Sequence, residues 1–253
     1  WTMLDHLRHV GRGILDNRRN MLRPGIGLGL VSALYRNELA FLRRTSRLST
    51  MLDVDASTVN RLLRESRDVM AYCVGQASRD LGLHAGFINP SYGPVLYTAV
   101  RVLRPTVMVE TGVASGVSST LVLSAMERND AGKLYSIDLP LPEPRLLPPG
   151  RETGWMVPER LRDRWELVLG DVKTELPPLL ERLDRLDCFY HDSEHTFENM
   201  TWEFSQAYPR IRPSGLLLSD DITSNNAWDS FTRALDGPRT SINRLGILRK
   251  PSG

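Results

Sequence analysis

Cysteine and lysine are scarce in this 253-residue sequence: Cys73 and Cys188 are its only cysteines, and Lys133, Lys173 and Lys250 its only lysines. Both cysteines lie in apolar surroundings, so reduced core residues are expected rather than a disulfide, and the cytoplasm is the expected compartment. Aromatic residues make up 7% of the chain and do not interleave with its arginines, which argues against a stacking platform for nucleic acid. Long hydrophobic runs are missing: "GIGLGLVSAL" at 25–34 is among the most apolar stretches, and it is far too short to span a bilayer. No signal peptide, internal repeat or low-complexity tract is visible. There is no G-x-G-x-x-G fingerprint, so a dinucleotide pyrophosphate is not the expected guest.

What is present has the composition of an ordinary globular protein, 41% apolar and 25% charged, and the length of one large domain or a domain with an appendage. Charge is unevenly spread. Residues 1–50 hold nine arginines against Asp5, Asp16 and Glu38, a balance of +6, which leaves −4 for the remainder of a chain whose total is +2. Such a segment is either a solvated helical face or a surface for an anionic partner. Nucleic acid is not expected, and membrane contact is left open.

Residues 1–85 read as an N-terminal helical segment. In "DASTVNRLLRESRDVMAYCVGQASRDLGL" the apolar residues Val59, Leu62, Leu63, Val69, Met70 and Val74 recur at helical spacing, with Asp55 or Ser57 as a cap and Gly82 as a stop. From 86 to 253 the pattern changes. A helix "GPVLYTAVRVL" ends before Pro105, and short apolar strands follow at 106–110, 133–138, 165–171, 186–192 and 215–221, with helices at 117–128, 173–184 and 196–209 between them. This alternation predicts a doubly wound α/β domain. Residues 239–250 add two short strands joined at Asn243-Arg244, which makes a mostly parallel seven-stranded sheet. The stretch 139–161 carries six prolines and no helical period; a lid or acceptor-binding loop including Trp155, or a disordered excursion, both fit.

Ligands of such sheets collect outside the carboxyl ends of the strands, at the switch point. The first strand runs into "ETGVASGVSS", where Gly112 and Gly116 permit a tight turn. Asp138 ends the second strand, where a carboxylate can accept bonds from ribose hydroxyls, and Asp171 ends the third, where it can receive an adenine amino group. "CFYHDSEHTFENM" (188–200) and "LLLSDDITSNN" (216–226) are apolar runs that stop abruptly in acids, and buried acids need a partner.

The ordered set "VMVETGVASGVSS", "LYSID", "ELVLGD", "LDCFYHDSEH" and "GLLLSDDI" resembles the class I S-adenosylmethionine-dependent methyltransferases over roughly residues 88–250, and within them the metal-dependent sugar O-methyltransferases of the macrocin and mycinamicin type. The resemblance implies a Rossmann-like methyltransferase fold. It puts Glu110, Gly112, Gly116 and Ser118 by the methionine part of S-adenosylmethionine, Asp138 on the ribose, and Asp171 with Val172 at the adenine. It implies a divalent cation, magnesium, on Asp192, Asp220 and Asp221, and His195 as general base beside Asp192. It further implies a glycoside or other small-molecule hydroxyl as acceptor, and a homo-oligomer. Residues 1–85 have no counterpart in the resemblance; they are expected to cover the cofactor site or to form a subunit interface. Two positions depart from the family's usual D-G-x-H: His191 adds an imidazole, and Ser193 replaces the glycine.

The chemistry agrees with these residue types. Three carboxylates converging at neighbouring strand ends would raise one another's pKa, and a cation removes the conflict while acting as a Lewis acid on a hydroxyl. A histidine can take the released proton. Structural alternatives stay open: Asp192 as a cap for the helix near Thr196, His195 as a structural histidine, His191 pointing into the sheet, Tyr92 and Trp228 as packing rather than ligand contacts, and Asn225 and Asn226 as turn residues. A catechol acceptor is the runner-up; those enzymes generally use a lysine base, and no lysine adjoins the acids. A nicotinamide dehydrogenase and a non-catalytic binding module are the readings from other classes.

Overall fold

The computed structural model describes residues 44–79, 93–140, 147 and 150–252. Gly82, Tyr92 and nearly all of the basic N-terminal segment, with the cover, interface and membrane roles expected of it, lie outside those residues. The chain divides into two compact units, residues 1–46 and 47–253. Of the first, only 44–46 are described, and they are helical.

The division differs from the expected one at residue 85, because two helices of the N-terminal segment are packed into the second unit. Helix α1 (Ala56–Glu65) starts where Asp55 accepts a bond from the Thr58 N–H, and it buries Val59, Leu62 and Leu63. Helix α2 (Arg67–Arg79) follows. At the end of α1, Glu65 accepts bonds of 2.6 Å from both Tyr97 Oη and Arg101 Nε of helix α3 (Gly93–Leu103). That carboxylate is held below its usual range: burial opposes ionisation, but Arg101 and Tyr97 outweigh it.

The sheet follows the expected alternation. Strands β1 (Val107–Thr111), β2 (Lys133–Asp138), β3 (Trp165–Leu169), β4 (Leu186–His191), β5 (Ile211–Ser219), β6 (Arg239–Ile242) and β7 (Leu245–Arg249) lie in the order β3-β2-β1-β4-β5-β7-β6. Only the β5–β7 and β6–β7 pairings are antiparallel. Helix α4 (Val117–Asn129) is buried on almost every side because the sheet lies on one side and α2 and α3 on the other. On the sheet's opposite face, Leu176, Leu179 and Leu180 of α5 (Val172–Leu183) and Met200, Phe204 and Ala207 of α6 (Phe197–Ala207) pack on Val109, Phe189 and Leu217. A short helix α7 (Ala227–Thr232) completes the layer. Trp228 sits in this core, 4% exposed and edge-on to Phe204, so its role is packing. Cys73 and Cys188 are free and buried. Among the described residues, no helix is long and apolar enough to cross a membrane.

β1 and β4 are neighbours although two strands and two α-helices of chain separate them, and this is where the strand order reverses. Their amino ends are tied by Asp187, 8% exposed. It accepts bonds from Thr106 N and Thr106 Oγ1 at 2.7 Å and from Val107 N at 2.8 Å, and its other oxygen pairs with Arg212 of β5. Burial opposes its ionisation, yet Arg212 and these donors hold its pKa below the usual value. Asp187→Asn is expected to lower stability at neutral pH by about 1–3 kcal/mol. A depressed carboxylate stabilises the fold above the unfolded-state pKa of ~3.9 and loses that contribution as pH falls through the folded value. Urea unfolding across pH should therefore show the gap between variant and wild type closing below about pH 4.

Candidate active site

The ladder continues past the last residue of each strand, and this sets the site. Gly112 N donates to Ile137 O at 2.9 Å, Asp192 N to Thr111 O at 2.8 Å, Asp220 N to His191 O at 2.8 Å and Gly170 N to Asp138 O at 2.9 Å. The carboxyl ends of five parallel strands are thereby held in one row around a cavity of about 570 Å³, within the ~300–1,000 Å³ of a small-molecule site. Its wall includes Gly112 and Ser118 after β1, Asp138, Asp171 and Val172 after β2 and β3, and Asp192, Ser193, His195, Asp220 and Asp221 after β4 and β5.

At the glycine turn, Gly112 has φ +84°, and a Cβ there would lie 2.0 Å from the Asp192 carbonyl oxygen. Only glycine lets β1 turn this close to the acid-bearing loop. Gly116 does not face the cavity; it begins α4 with φ +86°, and a Cβ there would meet the Gly154 Cα at 2.9 Å. Glu110 is also behind the wall, with no exposed surface, accepting from Ser119 Oγ at 2.6 Å and Ser136 Oγ at 2.7 Å. Burial pushes its pKa up, against the opposing bonds from Ser118, Ser119 and Ser136. These two residues differ from the expected cofactor contacts, since β1 alternates its side chains and Glu110 is turned into the layer of α4.

Asp138 accepts a bond from Ala114 N at 3.1 Å; burial raises its pKa, opposed by the Val113 and Ala114 amides. Asp171 caps α5, accepting from Lys173 N at 2.7 Å. In the described part of the Pro-rich stretch, Gly154 N and Met156 N donate to Ala114 O and Ser115 O at 2.8 and 3.0 Å, and Arg151 covers the Trp155 ring at 4.6 Å.

The acid cluster forms at the ends of β4 and β5. Asp192, His195 and Asp220 each offer a ligand atom, all within 4.8 Å of one another, and His195 Nε2 lies 3.7 Å from Asp192 Oδ1. The helix-cap alternative for Asp192 is taken by Thr196, which caps α6 itself. Asp221 lies outside that group of ligand atoms, although it lines the same cavity and burial and the Asp220 charge both raise its pKa. Its backbone is left-handed, with φ +48°, and its carboxylate pairs with Arg244 at 2.5 Å. Of three expected carboxylates, two converge, and an imidazole completes the group. Burial raises the Asp192 pKa well above the ordinary value, and the Asp220 charge adds to this. Two acids so placed resist double ionisation, and carboxylate oxygens suit a hard divalent cation. The residues present therefore fit such an ion. His195 is pushed down to about 4, first by burial and then by His191, so it is neutral near pH 7, and its Nε2 is buried without a partner.

His191 is fully buried, as the inward alternative had it, with Nδ1 2.8 Å from Glu203 Oε2. Its ring stands edge-on to His195 at 5.3 Å. Glu203 was not singled out from the sequence, although an acid beside Met200 and Phe204 on the apolar stripe of α6 is a readable anomaly. It also accepts from Thr111 Oγ1 at 2.5 Å, from Asn199 Nδ2 at 2.8 Å and from Ser193 Oγ. Burial opposes its ionisation, but His191 and the other donors hold its pKa below the usual range. Asn225 is a turn residue that accepts from Ala227 N, and it also braces the neighbouring loop by donating to His195 O at 3.0 Å.

Comparison with known proteins agrees with this architecture. Residues 109–222 match the family model described as a methyltransferase domain. The fold is the Rossmann-like fold of solved methyltransferases. It resembles the Bacillus cereus O-methyltransferase in complex with SAH (TM-score 0.50, 16% identity, 80% of this chain and 95% of that one). It also resembles the SAH-bound methyltransferase PaMTH1 of Podospora anserina (0.52, 11%, 92% and 99%) and the O-methyltransferase NovP (0.52, 17%, 65% and 81%). At these identities the likeness is one of fold. No curated protein matches the sequence.

Two outcomes follow from the geometry. Gly112→Ala is expected to destabilise the protein by more than about 1 kcal/mol, measured by thermal unfolding, because both the φ and the Asp192 carbonyl oppose a side chain. In an NMR titration with chelator present, the His195 ring signals are expected to stay put through pH 6 and to shift only near pH 4; a midpoint near the ordinary ~6.5 would contradict the buried geometry.

Proposed function

We propose that this protein is an S-adenosylmethionine-dependent O-methyltransferase, assisted by a divalent cation such as magnesium, that methylates a sugar hydroxyl of a glycoside or polysaccharide. The observation that carries the reading is the convergence of Asp192, Asp220 and His195 on a cavity that Asp138 and Asp171 also line, from the β2 and β3 side of the Gly112 turn. One end of the cavity is then suited to a nucleoside and the other to a hydroxyl.

The cofactor, when bound, supplies the activated methyl group. Asp138 is placed to accept ribose hydroxyl bonds, and Asp171 with Val172 to border the adenine. Asp192 and Asp220 would hold the cation, whose chemistry is that of a Lewis acid lowering the hydroxyl pKa. His195, neutral and with no hydrogen-bond partner at Nε2, would take the proton of the acceptor hydroxyl. The lysines disfavour a catechol-type site with a lysine base. Lys133 pairs with Glu166, and Lys250 donates to the carbonyls of Tyr208, Pro209 and Ile211. Lys173 lies in the first turn of α5, on the adenine side.

Calorimetric titration tests both ends. S-adenosylhomocysteine is expected to bind the wild type, and Asp138→Asn to weaken it by about 10–100-fold, the worth of hydrogen bonds to a charged group. A separate heat for Mn²⁺ or Mg²⁺ is expected to vanish in Asp220→Ala and to survive in Asp221→Ala. No cofactor-product binding under any condition would sink the methyltransferase reading. Cation binding that survives Asp220→Ala would sink the metal assignment alone.

A further inference from the structure

Glu203 has no exposed surface, and it lies on the face of α6 that otherwise buries Met200, Phe204 and Ala207. A carboxylate is costly there, and an apolar side chain of similar volume would pack without that cost. Its acceptor positions are fully subscribed. Oε2 faces Thr111 Oγ1 and His191 Nδ1, and Oε1 faces Ser193 Oγ and Asn199 Nδ2. Four donors fill the roughly four lone-pair sites of an ionised carboxylate, so no position is left for a proton. His191 must then donate from Nδ1.

The identity of the donors is informative. Thr111 immediately precedes the Gly112 turn, His191 immediately precedes Asp192, and Ser193 immediately follows it. One carboxylate thus joins the ends of β1 and β4 at the switch point to the loop that presents Asp192 and His195. Asn199 repeats the tie, since its Nδ2 also donates to Glu194 O at 3.1 Å.

We infer that Glu203 is a positioning residue: it fixes the 192–195 loop, and with it Asp192 and His195, relative to the Gly112 turn. What the positioned site does rests on the proposed function; the tether itself does not. Glu203 touches none of the candidate metal-binding or proton-accepting atoms, so it acts through His191 and Ser193. Outer partners of this kind typically change metal affinity by about 10–100-fold when altered.

The test is Glu203→Gln, which keeps the shape but turns an NH₂ group toward two of the four donors. Three quantities are compared with wild type well below the unfolding temperature: amide hydrogen exchange, Mn²⁺ affinity and S-adenosylhomocysteine affinity. Exchange at residues 192–196 is expected to rise about tenfold or more while the amides of β1 and β4 keep their protection. Mn²⁺ affinity is expected to fall about 10–100-fold while S-adenosylhomocysteine affinity stays within about twofold. A role in stability alone would lower the unfolding temperature and leave loop exchange unchanged, and that result overturns the inference. Wild type that binds no Mn²⁺, or no S-adenosylhomocysteine, refutes the corresponding part of the proposed function and leaves loop exchange to decide on Glu203. If Glu203→Gln does not fold, Ser193→Ala removes one donor only; loop exchange equal to wild type in that variant overturns the inference.

Discussion

Parallel pairing of β1 with β4 is the constraint on which the site depends. The register that sets Thr111 opposite His191 also brings Gly112 against the Asp192 backbone, at a distance that leaves no room for a Cβ. Because β2 leaves β1 on one side and β5 leaves β4 on the other, the crossovers diverge and open a crevice above that pair. Asp138 comes to its rim from one side and Asp220 from the other. Asp187 closes the opposite end of the same pair, so the two strands are held by carboxylates at both ends.

The acids around this pair are accommodated in different ways, and the differences sort them by role. Glu110 is wrapped in serine hydroxyls. Glu203 has a donor for each lone pair. Asp221 has Arg244. Asp192 lies beside Asp220, and burial together with that neighbouring charge opposes the ionisation of Asp192. Asp192 is the acid whose pKa burial and a neighbouring carboxylate push well above the ordinary value, and a cation beside it would relieve that cost.

Much of the fold was legible because it is periodic. Seven apolar runs, the helices between them and the antiparallel end at Asn243-Arg244 all fall within a few residues of the observed elements, since buried parallel strands have few alternatives to continuous apolar sequence. The acids at the strand ends were equally visible, because charge in an apolar run is costly wherever the run ends. Less legible were orientations. The reach of Glu110 into the layer of α4, the turn of Asp221 toward Arg244, and the inclusion of α1 and α2 in the sheet's own unit each depend on a partner distant in sequence.

Composition and periodicity thus determined the layered α/β architecture, the glycine turn and the set of acids available at the sheet's carboxyl edge. Local sequence suffices for these because strand alternation, burial and backbone freedom are properties of neighbouring residues. Tertiary structure alone decided which acids meet. Asp192 and Asp220 are joined by strands that pair across 28 residues of chain, His195 reaches them through a loop anchored by Glu203 and Asn225, and Asp221 pairs with an arginine on the hairpin. Those outcomes are set by distances and competing partners in space, which no spacing along the chain encodes.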